Sequence, residues 1–242
     1  MRFHLVTYNI HKGIGGIDRR YRPERIVETL RHCRPDIVLL QEVDDGVPRS
    51  RQHRQVDLFA EALELPHRAY QSNVRLRKGS YGNAILSRFP LTDIEHLELT
   101  IPLKKRRRAL VGRCHITGND GHTRSLVVVN SHLGLAGFER NIQIRRILES
   151  DVVKRAHQQT AIIVAGDMND VWHGQGRRLF LPAGFEPATG TIRTFPAIMP
   201  MRALDRIYFR GRLKLRGAHA SRTAVARRAS DHLPLVAEFE MT

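Results

Sequence analysis

Polar residues at the ends of predicted buried strands form a set that could cleave a phosphoester. Two segments share one plan: a strand ends in a polar loop, a helix follows, and a buried strand then ends in an acid. FHLVTYNIHKG leads to DIVLLQE and Glu42, and LVVVNSHLGL leads to AIIVAGDMND with Asp167 and Asn169. Ligands of open α/β sheets usually bind at such carboxyl ends. If the two halves pack face to face, four of these residues meet at one rim: Asn9, Glu42, His132 and Asp167.

Grouped carboxylates predict a hard divalent cation near this rim. Glu42, Asp167, Asp205 and Asp231 lie at or just beyond the ends of apolar strands, in a chain with 40 Lys and Arg but 24 Asp and Glu. Isolated buried carboxylates are costly unless they are paired or bind a cation. Oxygen ligands without cysteine suit Mg²⁺ or Mn²⁺, which typically take one or two carboxylates, water and phosphate oxygens.

Two histidines accompany the acids, His132 in NSHLGL and His232 in SDHLPL. Either one could bond a phosphate oxygen when it is protonated. Asp205, in LDRIYF, is suited to orient one of them, because a carboxylate behind an imidazole fixes its tautomer and raises its pKa.

The elements that must position these residues are mostly short apolar runs. Eight runs predict buried strands. Gly118-Asn119-Asp120-Gly121 favours a tight hairpin and hence an antiparallel pair, so we expect mixed sheets. Helices are predicted from Pro23, across Leu58 to Leu63, and from roughly Phe138 to His157, with Arg140 facing water or substrate. Two stacked mixed sheets with helices outside accommodate every element. The predicted strands are FHLVTYN, DIVLLQE, YGNAILSR, ALVGRCHI, SLVVVNSH, AIIVAGD, DRIYFR and LVAEFE.

Size and composition favour one domain over residues 1–242. The chain is 41% hydrophobic, has no evident linker, and lacks both a secretory leader pattern and an apolar run near 18 residues. We therefore expect a cytoplasmic protein, with a monomer as the default. Cys33 and Cys114 have no CxxC partner and are expected to be small core residues.

A net charge of +16 predicts an anionic substrate or partner. Charge alone does not separate nucleic acid, an anionic membrane and a phosphorylated small molecule, and part of the surplus could be a solvated face. The run Lys104–Arg108 is expected to contact substrate, together with a second basic loop at Arg75, Arg77 and Lys78. Aromatic residues are not interleaved with these charges, which argues against a stacking platform.

Seven motifs resemble, in order and spacing, those of the endonuclease/exonuclease/phosphatase superfamily, whose members include DNase I, exonuclease III and bacterial sphingomyelinases. The resemblance runs from Arg2 to about Phe239. It implies a DNase I-like four-layer αββα sandwich of two mixed β-sheets flanked by helices. It also implies in-line attack of water on phosphorus, assisted by a divalent cation. The motifs are TYNIHKG, LQEVD, GNAILSRFP, NSHLGL, GDMND, LDRIYF and SDHLPL.

The resemblance also assigns roles within the site. Glu42 becomes the principal metal ligand with Asn9 beside it, and Asp231 serves metal coordination or the electrostatics of the site. Asp167 would orient or deprotonate the attacking water, and Asn169 would hold Asp167 and the phosphate. The general base is either Asp167 or the pair of Asp205 and His232. His132 and His232 would bond the non-bridging oxygens, with Asp205 supporting His232.

The favoured reading of function is a Mg²⁺- or Mn²⁺-dependent phosphodiesterase, with DNA as the first candidate substrate. A phospholipid or small-phosphoester hydrolase at an anionic membrane is the alternative, and a non-catalytic nucleic-acid-binding module is a third. Several neighbours are left out of the site as structural or solvated, namely His11, Asp44, Asp45, Tyr81, Asn83 and Asp170. Three aromatic residues could shape a pocket after GDMND, although lone aromatics more often belong to the core: Trp172, Phe180 and Phe185.

Overall fold

Two six-stranded mixed sheets stack face to face in the computed structural model, which describes residues 1–118, 120–171 and 174–241. Strands are numbered along the chain. The first sheet has the order β11 (Leu213–Ala220), β12 (Leu235–Met241), β1 (Arg2–Asn9), β2 (Ile37–Asp45), β4 (Ser80–Ser87), β3 (His67–Arg75). The second has the order β5 (Leu91–Glu98), β6 (Arg108–Thr117), β7 (Thr123–His132), β8 (Ala161–Asp167), β10 (Asp205–Arg210), β9 (Glu186–Pro187).

Each sheet contains one parallel pair, and these are the pairs that carry the predicted site. β1 lies parallel to β2, and β7 lies parallel to β8, whereas the other pairings between the named strands are antiparallel. All eight predicted strands form. β3, β5, β9 and β11 were not predicted. The partly exposed, polar sequences of β3, β5 and β11 lack the apolar run of a buried strand, and β9 has only two residues.

Helices cover the outer faces of both sheets, as expected for an αββα sandwich. Apolar residues of α1 and α2 pack on the first sheet, α3 and α5 contribute to the outer core of the second, and a central core lies between the sheets. The predicted four-layer architecture is confirmed. The helices are α1 (Pro23–Cys33), α2 (Gln55–Ala62), α3 (Gly137–Glu149), α4 (Asp151–Lys154), α5 (Gln175–Phe180) and α6 (Ala226–Ala229), with 3₁₀ turns at His11–Gly13, Pro48–Ser50 and Leu181–Ala183.

The third helix is shorter than predicted. It was expected to run to about His157, but α3 ends at Glu149 because Ser150 adopts an extended backbone, with φ −61° and ψ 147°. The short α4 then continues to Lys154. Arg140 was expected to face water or substrate, but its side chain is buried against Gln175 and the carbonyl of Leu135.

The fold also shows where the two cysteines, two of the aromatic residues and the predicted hairpin turn lie. Cys33 and Cys114 are both buried and unbonded to each other, as expected of core residues, and Phe180 and Phe185 likewise belong to the core. The turn at Gly118–Gly121 closes with a 3.0 Å bond from the Gly121 amide to the Gly118 carbonyl and joins β6 to β7. Asn119 of this turn, and Trp172, lie outside the described residues. Within the described ranges, no helix is long and apolar enough to cross a membrane.

Candidate active site

The register of β7 against β8 places His132 directly beside Asp167. Gly166 makes this approach possible. Its φ is +142°, and a Cβ built there would lie 1.8 Å from the carbonyl oxygen of Ser131 on the neighbouring strand. A side chain at position 166 would push the two strand ends apart, so this glycine helps to set the geometry of the site.

Asp167 is the residue on which the site converges. Asn9, from the other sheet, donates its amide Nδ2–H to Asp167 Oδ2 at 3.1 Å. The same oxygen lies 3.5 Å from His132 Nε2 and 3.7 Å from His232 Nε2. The structure therefore brings four of the predicted site residues together around one buried carboxylate.

Asn169 bonds Asp167 through its backbone and bonds the neighbouring loop through its side chain. Its amide N–H donates to Asp167 Oδ1 at 3.0 Å, and its side-chain Nδ2 donates to the carbonyl of Leu133. Asn169 adopts a left-handed backbone with φ 50°, which asparagine tolerates better than most residues. This turn fixes the Asp167 carboxylate in one orientation.

Asp205 and His232 form the predicted carboxylate–imidazole pair. His232 Nδ1 donates to Asp205 Oδ2 at 2.8 Å, and Thr194 Oγ1 donates to the same oxygen at 2.5 Å. Burial lowers the pKa of His232, but the carboxylates of Asp205 and Asp167 outweigh it and raise the pKa to about 10. His232 is therefore an imidazolium at neutral pH, with Nε2 turned toward Asp167.

His132 and Asp167 differ from their ordinary protonation behaviour. Burial, together with the nearby guanidinium of Arg107, holds the pKa of His132 well below its usual range, so His132 is neutral rather than protonated. Burial, reinforced by Asp205, raises the pKa of Asp167 to about 6, against the opposing effects of His232 and the bonds from Asn9 and Asn169.

Glu42 projects from a β-bulge within β2, which continues to Asp45 rather than ending at Glu42 as predicted. Gln41 pairs with Asn9, the register then shifts, and Glu42 takes a left-handed φ of 58°. Its carboxylate forms an ion pair with the ammonium of Lys12. Burial raises the pKa of Glu42, but Lys12 outweighs this effect and lowers it. Lys12 was not identified from the sequence, although it lies within the motif TYNIHKG.

Asp231 lies at the edge of the site rather than at its centre. Its Oδ1 accepts a bond from Ser230 Oγ at 3.3 Å and lies 4.0 Å from His11 Nδ1, which itself donates to the carbonyl of Ile14. Ser230 Oγ also donates to the Asn9 carbonyl and so ties this loop to β1. His11, which we left out, thus lies at the site.

Four of the eleven described non-glycine residues with a positive φ lie in this region. His11, Lys12, Glu42 and Asn169 all adopt left-handed conformations, with φ between 45° and 64°, although none is glycine. Such conformations cost free energy and persist where surrounding structure enforces them, commonly at functional sites. The strain lies on the loops and the bulge that carry the predicted residues.

A cluster of cations near Glu42 contains an aromatic residue that the sequence did not single out. Lys12, Arg49 and Lys105 each place a cation 5.3 to 5.7 Å from the ring centroid of Tyr81. Tyr81 therefore lies among the basic side chains, contrary to the expectation that aromatics and charges are separate. Two acids expected to be solvated, Asp44 and Asp170, are instead buried.

The model of the Endonuclease/Exonuclease/phosphatase family matches residues 6–232. The chain belongs to this family. It is 31% identical over 258 residues to an uncharacterized protein, YbhP, of Escherichia coli strain K12, an alignment that covers 99% of this chain and 96% of YbhP.

Solved structures of endonuclease/exonuclease/phosphatase proteins share the fold. One from Beutenbergia cavernae matches with a TM-score of 0.80 and 22% identity over 99% of this chain and 72% of that one. The human Nocturnin catalytic domain, with bound sulfate, matches with a TM-score of 0.76 and 22% identity over 100% and 94%. The fold and a phosphoester hydrolase class follow from family membership, and one fold of this kind serves many substrates.

Proposed function

We propose that this chain is a divalent-metal-dependent phosphodiesterase that hydrolyses nucleic acid, with DNA as the first candidate. The observation that carries the proposal is the convergence of Asn9, His132 and His232 on the Asp167 carboxylate, with Asn169 bonded to its second oxygen. A carboxylate that is held by amide donors and faces two imidazoles can orient the water that attacks phosphorus.

The oxygen donors around Glu42 fit a hard cation. Among the described residues, no group of three or more His, Cys, Asp or Glu side chains is arranged to hold a metal. Mg²⁺ does not require such a cage, because it is commonly held by one or two carboxylates and several waters. Lys12 shows that the Glu42 carboxylate attracts a cation. In this proposal Glu42 is the principal ligand, Asn9 lies beside it, and Asp231 contributes a ligand or long-range charge.

A bound Mg²⁺ or Mn²⁺ would supply positive charge that offsets the charge developing on the phosphoryl oxygens. The chain's own groups orient the water, take its proton and bind the phosphate oxygens. Asp167 orients the attacking water and accepts its proton, since Asp205 is fully buried behind His232 and faces no substrate. His232 and His132 donate to non-bridging oxygens, and Asn169 holds Asp167 in place.

The charge around the site supports a polyanionic substrate. Lys12, Arg49 and Lys105 gather at Tyr81, whose ring could stack against a base once the cations contact phosphates. A chain with net charge +16 also favours rapid capture of polyanions. A cytoplasmic monomer remains our prediction for the protein in the cell.

A second candidate, hydrolysis of phospholipid at an anionic membrane, is favoured by exposed apolar side chains on two segments that adjoin the site, one of which includes the first turn of α3. Leu135 is 77% exposed and Phe138 is 54% exposed, next to Leu133, whose amide bonds the Asp167 carbonyl. Ile198 and Met199 are exposed on the loop whose Phe195 ring lies 5.0 Å from the ring of His232. Apolar side chains amid cations can insert into a lipid surface.

Hydrolysis of two substrates by the wild type and two variants tests the proposal. The substrates are supercoiled plasmid and vesicles of phosphatidylglycerol and phosphatidylcholine, each with Mg²⁺, with Mn²⁺ and with chelator. The variants are Asp167→Ala and, as a control, Asp151→Ala, whose carboxylate is exposed and pairs only with Arg155 on the surface.

We expect metal-dependent nicking of plasmid that is lost in Asp167→Ala and kept in Asp151→Ala. Release of phospholipid products with intact plasmid would move the assignment to the second candidate. If neither substrate, nor bis(p-nitrophenyl) phosphate, is hydrolysed while DNA still binds without metal, the chain is a binding module and the proposal is wrong.

A further inference from the structure

The backbone of Arg107 is bonded to Leu99 and Thr100, where the loop between β5 and β6 closes. Its amide donates to Thr100 Oγ1 at 3.0 Å, and its carbonyl accepts from the Leu99 amide at 3.0 Å and from Thr100 Oγ1 at 3.1 Å. These bonds close the loop that contains Lys104, Lys105 and Arg106. The side chain of Arg107 is only 7% exposed.

Lys104, Arg106 and Arg108 form ion pairs on the surface. Lys104 pairs with Glu139 at 3.4 Å, while Arg106 and Arg108 both pair with Glu98. Arg107 alone of these three arginines turns inward and is buried. From the sequence we expected all five residues of the run to contact substrate, but in the structure only Arg107 is buried.

The guanidinium of Arg107 has no partner among the residues that the structure describes. Its Nε is buried without a hydrogen bond, and no hydrogen bond or ion pair joins its side chain to any residue that the structure describes. A guanidinium carries five N–H donors, and leaving the buried Nε–H without a partner is costly. Arg140, which is equally buried, satisfies its donors with Gln175 and the Leu135 carbonyl.

Arg107 lies beside the end of β7 that carries His132, because β6 begins at Arg108 and pairs Ala109 with Ser131. Burial lowers the pKa of Arg107, and the carboxylates of Asp167 and Glu42 offset this only in part. Its positive charge in turn helps to keep His132 neutral. Arg107 thus faces the space near the water-orienting acid and the principal metal ligand, without an ion pair to either one.

We propose that Arg107 binds the non-bridging oxygens of the substrate's phosphate and stabilises the charge that builds on them during hydrolysis. The proposal rests on the proposed phosphoesterase function and deepens it. A guanidinium forms paired, charge-assisted hydrogen bonds with phosphate, and its planar fork fits two oxygens at once. The ligand class is a phosphate mono- or diester, and the donors left open in the protein are the groups that would bind it.

The nearby lysines are less suited to this role. Lys12 is held by Glu42, and Lys105 lies over the ring of Tyr81, 5.3 Å from its centroid. An ammonium also offers a point charge rather than a fork, so a lysine at position 107 would recover the charge but not the paired geometry. We therefore expect Arg107→Lys to restore little of the function that a neutral residue at this position removes.

The test compares wild type with Arg107→Met, Arg107→Lys and a control, Arg210→Met. Arg210 lies at the opposite end of β10 from Asp205 and bonds the carbonyls of Val153 and Ala183. Three quantities are measured: binding of inorganic phosphate to metal-free protein by calorimetry, kcat and KM on bis(p-nitrophenyl) phosphate with Mn²⁺, and Tm.

Arg107→Met should abolish measurable phosphate binding and lower kcat/KM by about 100- to 1000-fold. Its Tm should rise by roughly 2–4 °C, because an unpartnered buried cation is replaced by an apolar side chain of similar length. Arg107→Lys should recover less than a tenth of the lost rate. Arg210→Met should lose Tm because two bonds disappear, with phosphate binding unchanged.

Two results overturn the proposal. One is phosphate binding and kinetics in Arg107→Met equal to those of the wild type. The other is a large loss of Tm in Arg107→Met with phosphate binding retained, which would make Arg107 a structural residue. A wild type that binds phosphate through Arg107 but hydrolyses no phosphoester would support the anion site while rejecting the proposed function, so the two failures are distinguishable.

Discussion

In the proposed mechanism Asp205 acts on the substrate through His232. It is completely buried, and one carboxylate oxygen accepts bonds from both His232 and Thr194 while the other has no partner among the described residues. No atom of the Asp205 side chain is exposed to solvent at the site. Its effect on a substrate must pass through His232, whose charge and orientation it sets.

Asp205→Asn should therefore lower kcat by about 100-fold with little change in KM. It should also lower the pKa of His232, since burial already lowers that pKa and Asp205 is the larger of the two carboxylate effects that raise it. NMR titration of the His232 imidazole in wild type and variant measures the shift. A reduced kcat with an unmoved His232 titration would mean that Asp205 acts through folding alone.

The two cysteines should be inert in the native protein. Burial raises the pKa of Cys33 to about 11 and that of Cys114 to about 12, so neither thiolate is populated near pH 8. Ellman's reagent at pH 8 should detect no thiol in native protein and two after denaturation. A rapid reaction of one equivalent without denaturant would show that one of these core positions opens readily.

At the scale of single residues, sequence reasoning found the groups whose types stand out at strand ends. Glu42, Asp167 and His232 were visible because charged or titratable residues interrupt apolar runs there. Lys12 was not, because a single lysine in a loop has no distinctive pattern, and Arg107 was not, because the five residues of its basic run look alike. Only the three-dimensional structure shows that Lys12 pairs with Glu42 and that Arg107 turns inward.

At the scale of elements, two backbone irregularities position the chemistry. The bulge after Gln41 turns Glu42 out of the regular strand alternation, and the contact of Gly166 with Ser131 lets β7 and β8 end side by side. Both lie on the parallel pairs that support the site. The strands provide a rigid support, and the bulge and the Gly166 contact set the positions of Glu42, His132 and Asp167.

Gly166→Ala should destabilise the chain by about 3 kcal/mol or more, because the new methyl group would meet a backbone oxygen that cannot rotate away. Activity should fall as well, since His132 and Asp167 would separate. Gly217→Ala is the matched control: a Cβ there meets nothing within 4 Å. Urea denaturation of both variants decides the matter, and equal stability of the two would contradict the steric argument.

Element prediction succeeded where burial dominates the sequence and failed where it does not. Buried strands such as β8 are continuous apolar runs, whereas β5 and β11 are largely exposed and polar and take their conformation from the neighbouring strand. The break after α3 was also missed, because Ser150 is compatible with a helix and the apolar spacing continues through Val152 and Val153. Tertiary contacts decide such positions.

At the scale of the whole molecule, the location of charge matters more than its sum. Many arginines are neutralised by surface ion pairs far from the site, such as Arg113 with Asp93 and Arg124 with Asp120. The sequence provides the total of +16 but not this distribution. The cations around Tyr81 come from three separate loops, and only the fold brings them together beside Glu42.

The affinity for duplex DNA should therefore fall steeply with salt, and it should depend on where on the surface a cation is removed. If about six phosphates are neutralised, affinity should fall roughly a thousandfold between 50 and 200 mM salt. Lys105→Glu and Lys214→Glu change the net charge equally, but Lys105 lies at the Tyr81 cluster and Lys214 on the exposed edge strand β11. Titrations with uncleaved DNA, in chelator and on an Asp167→Ala background, should show a weaker salt slope for Lys105→Glu alone. Equal slopes for the two variants would mean that net charge, rather than this face, captures the polyanion.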